Sequence, residues 1–234
     1  MSGRRVRIVS YNVHACIGRD RRFMPDRIAA VLEELDADFV ALQEVEDRPY
    51  RGMTVTEYLA DRLGMHAHRG ATLYRGDAHY GNLLLAREAA VAHRLHDISV
   101  GPREPRGAIE ADFEAGGRTL KIFVTHLGLR AGERRRQIRR LLPALDRGEA
   151  DVQVLAGDIN EWRPGAAASR LLTRSLGPVP LPRTFPAGAP LFALDRLYVT
   201  PRDVVVRVDA VRTRDARQAS DHLPLVADLR MPTG

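Results

Sequence analysis

The chain has 234 residues, 44% of them hydrophobic and 28% charged, with a formal net charge of +6 and a single cysteine, Cys16. One cysteine excludes an intrachain disulfide framework, and no run approaches the roughly 18 apolar residues of a membrane span. The N-terminal MSGRRVRIVSYNV lacks the apolar core and small-residue cleavage site of a secretory leader, so the expectation is a cytoplasmic protein with one domain over 1–234, long enough to bury a full core. The basic balance favours polyanionic partners, nucleic acid or an anionic lipid surface met transiently. Only one lysine, Lys121, stands among 36 basic residues, and with alanine also abundant this has the look of GC-rich codon bias. Charge alone therefore assigns no substrate.

Residues 4–11 alternate apolar and polar, as a half-buried strand does. PDRIAAVLEELD (25–36) gathers Ile28, Val31, Leu32 and Leu35 on one helical face, with Pro25 where a first turn tolerates it. DFVALQEVE follows as a buried strand, Phe39 to Leu42, ending in polar residues, and a helix is expected over 55–63, closed by Gly64. The middle is strand-rich: HAHRGATLY, GNLLLAR, HRLHDISV, GAIEADFEA and RTLKIFVTH, with Gly116-Gly117 a hairpin signal between the last two. A helix over 131–148 carries Ile138, Leu141, Leu142 and Leu145, and Pro143 is a candidate kink. DVQVLAGDIN is a strand ending in a polar turn; a Pro/Gly-rich loop covers about 177–190, and strands are expected at 193–199, 203–210 and 223–230. Hairpins mixed with strand–helix units fit an α/β fold of stacked sheets with outer helices.

Polar residues recur where these strands end or begin. Asn12 follows RIVSY, Glu44 follows FVALQ, His126 follows KIFVT, and Asp158 and Asn160 follow VQVLAG, while Asp195 and Asp221-His222 precede strands. Sites in layered α/β folds collect at such edges. Carboxylate and amide oxygens suit a hard cation such as Mg²⁺, with Mn²⁺ an alternative. The histidines lack the spacing of a structural zinc site, and neither a Walker-A loop nor a Gly-x-Ser-x-Gly elbow is present. Metal-assisted hydrolysis remains, the ion stabilising phosphoryl charge while a histidine–carboxylate pair handles a proton.

The segments SYNVH (10–14), ALQEVE (41–46), THLGL (125–129), GDIN (157–160), ALDRLYV (193–199) and SDHLPLVADL (220–229) span nearly the whole chain. Together they resemble the endonuclease/exonuclease/phosphatase superfamily, which has the deoxyribonuclease-I-like fold. PRGAI (105–109) and THLGLRAGERRRQ (125–137) are similar to segments of its compact bacterial members. The resemblance implies a four-layer α/β sandwich, two packed mixed β-sheets flanked by helices. It implies Glu44 as principal Mg²⁺ ligand, Asn12 positioning metal or phosphate, and Asp221 at the metal's edge. His222, oriented by Asp195, would be general base or phosphate contact; Asp158 would orient or deprotonate water, and Asn160 would hold that water or a phosphoryl oxygen. His126 would donate to a non-bridging oxygen, and Arg106 would contact phosphate. Gln43 would hydrogen-bond behind Glu44, and a further tyrosine or carboxylate near His126 is left open among Tyr74, Tyr80 and Asp77.

The reading ranked first is a Mg²⁺-dependent phosphodiesterase, nuclease-like, acting on DNA or RNA as a monomer with no protein partner inferred. A phospholipid or small-molecule phosphoester hydrolase ranks second. A catalytically inactive scaffold that binds nucleic acid ranks third, since no motif residue is substituted. The segment between Asn160 and Asp195 is read as a substrate-shaping loop, in which Trp162, Arg163, Phe185 and Phe192 line a pocket, stack on a base, or simply pack.

Overall fold

The computed structural model describes residues 3–76, 78–148, 150–163 and 165–232. In chain order these form β1 (Arg5–Asn12), a 3-10 turn (His14–Cys16), α1 (Pro25–Leu35), β2 (Phe39–Glu46), the short pair β3 (Pro49–Tyr50) and β4 (Met53–Thr54), α2 (Val55–Leu63), β5 (His66–Arg75), β6 (Ala78–Ala86), β7 (Ala92–Asp97), β8 (Gly107–Ala115) and β9 (Arg118–His126). Then come α3 (Ala131–Leu145), β10 (Val152–Asp158), α4 (Ala167–Leu176), β11 (Asp195–Thr200), β12 (Val205–Ala210), α5 (Arg214–Ala219) and β13 (Leu225–Arg230). Two mixed sheets result, one ordered β12-β13-β1-β2-β6-β5 and the other β11-β10-β9-β8-β7. Among the described residues no helix is long and apolar enough to cross a membrane.

The two-residue period of the strands sorts side chains into three apolar layers. Val6 and Ile8 of β1 and Phe39 and Ala41 of β2 face Ile122 and Val124 of β9 and Val154 and Ala156 of β10, closing the sheets on each other. The opposite parity of the first sheet, Val9, Tyr11, Val40 and Leu42, lies under Ile28 and Leu32 of α1, Leu59 of α2 and Ala216 of α5. Phe123, Leu155 and Tyr198 of the second sheet lie under Ile138 and Leu141 of α3 and Leu172 and Leu176 of α4. The order helix, sheet, sheet, helix is the expected four-layer α/β sandwich.

Several elements depart from the sequence reading. The stretch read as one loop between Asn160 and Asp195 contains α4, whose Ala168, Leu172 and Leu176 bury one stripe. The six-residue α5 carries only Ala216 and Ala219 to bury, too little periodicity to stand out, and its start is fixed by the Thr213 side chain accepting from the Ala216 N–H. Helix α3 runs through Pro143 and ends two residues later at Leu145, the proline having no N–H to give the Arg139 carbonyl. Gly116 (φ 63°) and Gly117 (φ 74°) do make the tight turn between β8 and β9, where Ala115 pairs with Arg118.

Candidate active site

Parity places the polar residues. Asn12, His126, Asp158 and Asp195 continue the inward-facing series of β1, β9, β10 and β11, so the mouth between the sheets inherits them where the apolar filling stops. Within the second sheet Asp158 pairs with His126 on one side and with Asp195 on the other. The sheets meet through Asn12, whose Nδ2 donates to Glu44 Oε1 (2.9 Å) and to Asp158 Oδ2 (3.1 Å).

Glu44 needs a break in the pattern. Strict alternation would turn it out towards the helices, with Val40 and Leu42. The pairing of β2 with β6 slips between Leu42 and Val45, and Glu44 takes the left-handed conformation (φ 57°), so Gln43 and Glu44 both lie on the inner side and Val45 returns to the outer core. A β-bulge thus re-aims the carboxylate. Asn160 (φ 53°) and His14 (φ 46°) are left-handed too. For side chains with a Cβ, such backbone costs of order 1 kcal/mol or more and concentrates where geometry serves a site.

His222 donates from Nδ1 to Asp195 Oδ2 (2.9 Å), and its Nε2 lies 3.7 Å from Asp158 Oδ2. Ser220 fixes its backbone, accepting from the His222 N–H while its own hydroxyl donates to the Asn12 carbonyl (2.7 Å). Burial alone would discharge this imidazole, but the carboxylates of Asp195, Asp158 and Asp221 outweigh it and raise the pKa to about 10. Asp158 moves up to about 6, because burial and then Asp195 oppose its charge more than the His222 cation favours it.

His126 is the opposite case. Burial, then the Arg106 guanidinium, push it down to about 3, so it is neutral. Arg106 Nη1 lies 2.8 Å from His126 Nδ1, and a guanidinium only donates, so Nδ1 accepts and Nε2 carries the proton. That N–H faces Asp158 Oδ2 (3.5 Å) and Glu44 Oε1 (3.9 Å). Asn160 Nδ2, which donates to the Leu127 carbonyl (2.8 Å), approaches the same nitrogen to 3.0 Å, donor against donor, so no hydrogen bond joins the two in this tautomer. Arg106 is buried, paired with Glu104 (3.0 Å), and sits behind His126.

Glu44 and Asp221 form the acidic pole. Burial opposes the Glu44 charge, yet His14, His126 and Asn12 hold its carboxyl well below the usual range. His14 Nδ1 lies 3.6 Å from Glu44 Oε2 and 3.7 Å from Asp221 Oδ1, and its pKa is raised chiefly by Glu44. The Asn12 amide oxygen accepts from the His14 N–H (3.1 Å), so towards the carboxylates Asn12 is a donor. Asp158, Asp195 and His222 also place ligand atoms within 4.8 Å of one another, a buried group that could hold a metal ion. That group is sealed from solvent and its His222 and Asp195 are already hydrogen-bonded to each other, whereas Glu44 and Asp221, with side chains 22% and 39% exposed, are the more open oxygen pair.

The nine expected site residues therefore fall at one edge, with Arg106 reaching it through His126. The Gln43 side chain hydrogen-bonds away from the Glu44 carboxylate, its Nε2 donating to the Ala41 carbonyl (2.9 Å). Tyr80 is buried, Tyr74 is 68% exposed with its ring tilted against that of His79, and Asp77 lies outside the described residues. Sequence reasoning missed His14, although it ends the SYNVH segment. It also missed Arg134 and Glu161, which pair at 2.7 Å behind the site with side chains 2% and 1% exposed.

A profile of the endonuclease/exonuclease/phosphatase family matches residues 9–222. The uncharacterized protein YbhP of Escherichia coli K12 is 28% identical over 246 residues, covering 96% of both chains. Among solved structures, an endonuclease/exonuclease/phosphatase from Bacteroides vulgatus superposes with a TM-score of 0.79 at 17% identity, over 98% of this chain and all of that one (100%). The human Nocturnin catalytic domain, bound to sulfate, superposes at 0.76 with 21% identity, over 99% and 97% of the two chains; at these identities both likenesses are of fold. With the family profile covering residues 9–222, the chain belongs to the endonuclease/exonuclease/phosphatase family.

Proposed function

We propose that the protein is a divalent-metal-dependent phosphoesterase that hydrolyses a phosphodiester, nucleic acid foremost, by in-line attack of water. The observation that carries this reading is the placing of one buried carboxylate, Asp158, between two histidines of opposite charge state. His222 is an imidazolium and His126 a neutral donor, both within 4 Å of the same Asp158 oxygen.

At neutral pH Asp158, with a pKa of about 6, is ionised and close enough in strength to its task to take a proton from water. Asn160, whose backbone N–H donates to Asp158 Oδ1 (2.8 Å), fixes that carboxylate and presents its amide beside it. The His222 imidazolium, tied to Asp195, meets phosphoryl charge as a cation rather than as a base. The His126 Nε2–H donates to a non-bridging oxygen as charge builds there. Glu44 and Asp221 fit Mg²⁺ or Mn²⁺ by donor chemistry, hard oxygens with one carboxylate held ionised, and would hold the ion. When bound, it would supply Lewis-acid stabilisation of the phosphoryl group.

Hydrolysis of bis(p-nitrophenyl) phosphate with Mg²⁺ or Mn²⁺, abolished by EDTA, is the expected result; full activity in EDTA would overturn the reading. Nicking of plasmid DNA no faster than by Asp158→Ala would remove the preference for nucleic acid.

A further inference from the structure

Beyond the mouth, on the outer face of the second sheet, lies a pocket of about 410 Å³ between α4, β11 and the segment around 178–181. Arg163, Arg170, Arg174 and Arg196 line it, with Trp162 and Leu181 on its rim, and no acidic residue does so among the described residues. Arg170 and Arg174 stand one turn apart on α4 and make no ion pair with the described residues. Arg196 is 6% exposed, donates to the Glu161 carbonyl (2.6 Å) and Ser169 Oγ (3.2 Å), and keeps a buried Nε without a hydrogen-bond partner. The pocket adjoins the reaction centre: Trp162 follows Asn160 by two residues, and Arg196 follows Asp195 on the opposite face of edge strand β11.

Aromatic residues lie between the two places. The Phe185 ring lies 4.8 Å from that of His222, and the Phe185 backbone pairs with that of Phe192 in an isolated antiparallel bridge. Phe192, 39% exposed, lies 5.8 Å from Trp162, which is 59% exposed, and the Arg163 guanidinium sits 5.8 Å from the indole centroid. We infer that this track and pocket form a subsite for single-stranded nucleic acid, whose bases stack on Phe192 and Trp162 while flanking phosphates enter the arginine pocket. The inference rests on the phosphodiesterase reading and adds the form of the substrate.

Rings interleaved with arginines suit a single strand, since every base offers a flat face and every linkage a charge; Arg163 is shared with Glu161 at 3.7 Å, whereas Arg170 and Arg174 have no such partner among the described residues. The path turns over a sheet edge from the mouth to the outer face. A single strand follows such a turn, whereas duplex DNA, with a persistence length of about 150 base pairs, resists it. A lipid surface fits less well, because the arginines line a recess instead of ringing an apolar protrusion.

Trp162 is the only tryptophan in the chain, so its fluorescence reports the subsite directly. The full-length protein in EDTA would be titrated with a thymidylate octamer, a duplex of equal length, inorganic phosphate and phosphatidylglycerol vesicles. The octamer should quench Trp162, and more tightly than the duplex. Arg170→Glu/Arg174→Glu should weaken binding at least tenfold. Replacing both by alanine should reduce the salt slope by about 1.4, at about 0.7 per lost phosphate contact. By anisotropy of a labelled octamer, Trp162→Ala should bind roughly tenfold more weakly and Trp162→Phe nearly as wild type. Circular dichroism shows whether each variant is folded.

Absence of quenching, equal affinity for duplex, wild-type binding by the double glutamate variant, or quenching by vesicles but not by octamer would each overturn the subsite. Wild-type hydrolysis of bis(p-nitrophenyl) phosphate alongside no octamer binding would sink the subsite alone. Octamer binding with no phosphodiester cleaved under any divalent ion would sink the phosphoesterase reading, and with it the subsite's role in substrate binding.

Discussion

Arg134 Nη2 donates to Glu161 Oε2 across 2.7 Å, and both side chains are sealed from solvent. The pair ties α3 to the turn that carries Asn160. Arg134 also donates from Nη1 to the Leu129 (2.7 Å) and Gly128 (3.2 Å) carbonyls, and Gln137 Oε1 accepts from the Gly128 N–H (2.8 Å). One helix face thus fixes the chain just after His126 and just after Asn160. Removing one partner strands a buried charge, so Arg134→Met is expected to cost about 3–5 kcal/mol in denaturant unfolding. The double variant Arg134→Met/Glu161→Met should cost less than the sum of the two singles. Additive losses would mean that the pair is not coupled.

Two pKa values frame the pH dependence of the proposed reaction. Asp158 must be ionised, so kcat/KM should rise tenfold per pH unit up to about pH 6 and then level. His222 must be protonated, so the rate should fall above about pH 10. Asp195→Asn removes the main influence opposing burial at His222 and should draw the alkaline limb towards neutrality. An alkaline limb that stays in place in this variant would deny Asp195 that role.

The edge of the site was legible because polarity interrupts a strict two-residue alternation at Asn12, His126 and Asp158, which is a property of each strand alone. Glu44 is different. The strand-end pattern marks it, but its inward placement depends on a bulge against β6, which no single segment encodes, and its role as metal ligand came only from the family resemblance. His14 was hidden for a similar reason, since three successive left-handed residues, His14, Ala15 and Cys16, fold it back towards Glu44. Helix α4 has a visible stripe at Ala168, Leu172 and Leu176, but the glycines and prolines on either side drew the reading towards loop. Arg134 and Glu161 stand in polar runs with nothing in the residues to mark them as buried, and their burial follows from α3 packing over the site.

The neutrality of His126 should depend on Arg106. Burial is the larger cause of its low pKa and the guanidinium the next, so Arg106→Gln should move the His126 titration upward in NMR while leaving it below the ordinary 6.5. The sign for stability follows. The unfolded chain takes up a proton here below about pH 6.5, and the folded chain only near pH 3, so stability from this site is full above 6.5 and drains as pH falls through that window. His126→Asn should flatten the acid limb of the stability curve. An unchanged limb would mean that His126 does not govern it.

Metal binding should divide between Glu44 and His14. Glu44→Gln keeps size and hydrogen bonding but loses the charge, and calorimetry should show Mg²⁺ affinity reduced at least tenfold with folding intact. His14 offers an imidazole beside two carboxylates, and Mg²⁺, which takes oxygen ligands, gains less from a nitrogen donor than a transition-metal ion such as Mn²⁺ does. His14→Asn should therefore weaken Mn²⁺ more than Mg²⁺, and equal losses would remove His14 from the ligand set.

Gly157 tests how tightly the site depends on strand approach. It sits at φ 149°, and a Cβ there would come 1.8 Å from the Thr125 carbonyl oxygen of β9. That oxygen is backbone and cannot swing aside, so Gly157→Ala must part β9 from β10 where His126 pairs with Asp158. The expected cost is at least the ~1–3 kcal/mol of an overpacked core. Because the Leu127 N–H donates to the Asp158 carbonyl (2.9 Å) just beyond, its hydrogen exchange should accelerate more than that of amides at the far end of the strands, such as Val152. Hydrolysis should fall with it, since Asp158 and His126 would no longer share one phosphoryl group. A variant with normal exchange at Leu127 and normal turnover would show that the strands tolerate a side chain there and that the register is not what aligns the pair.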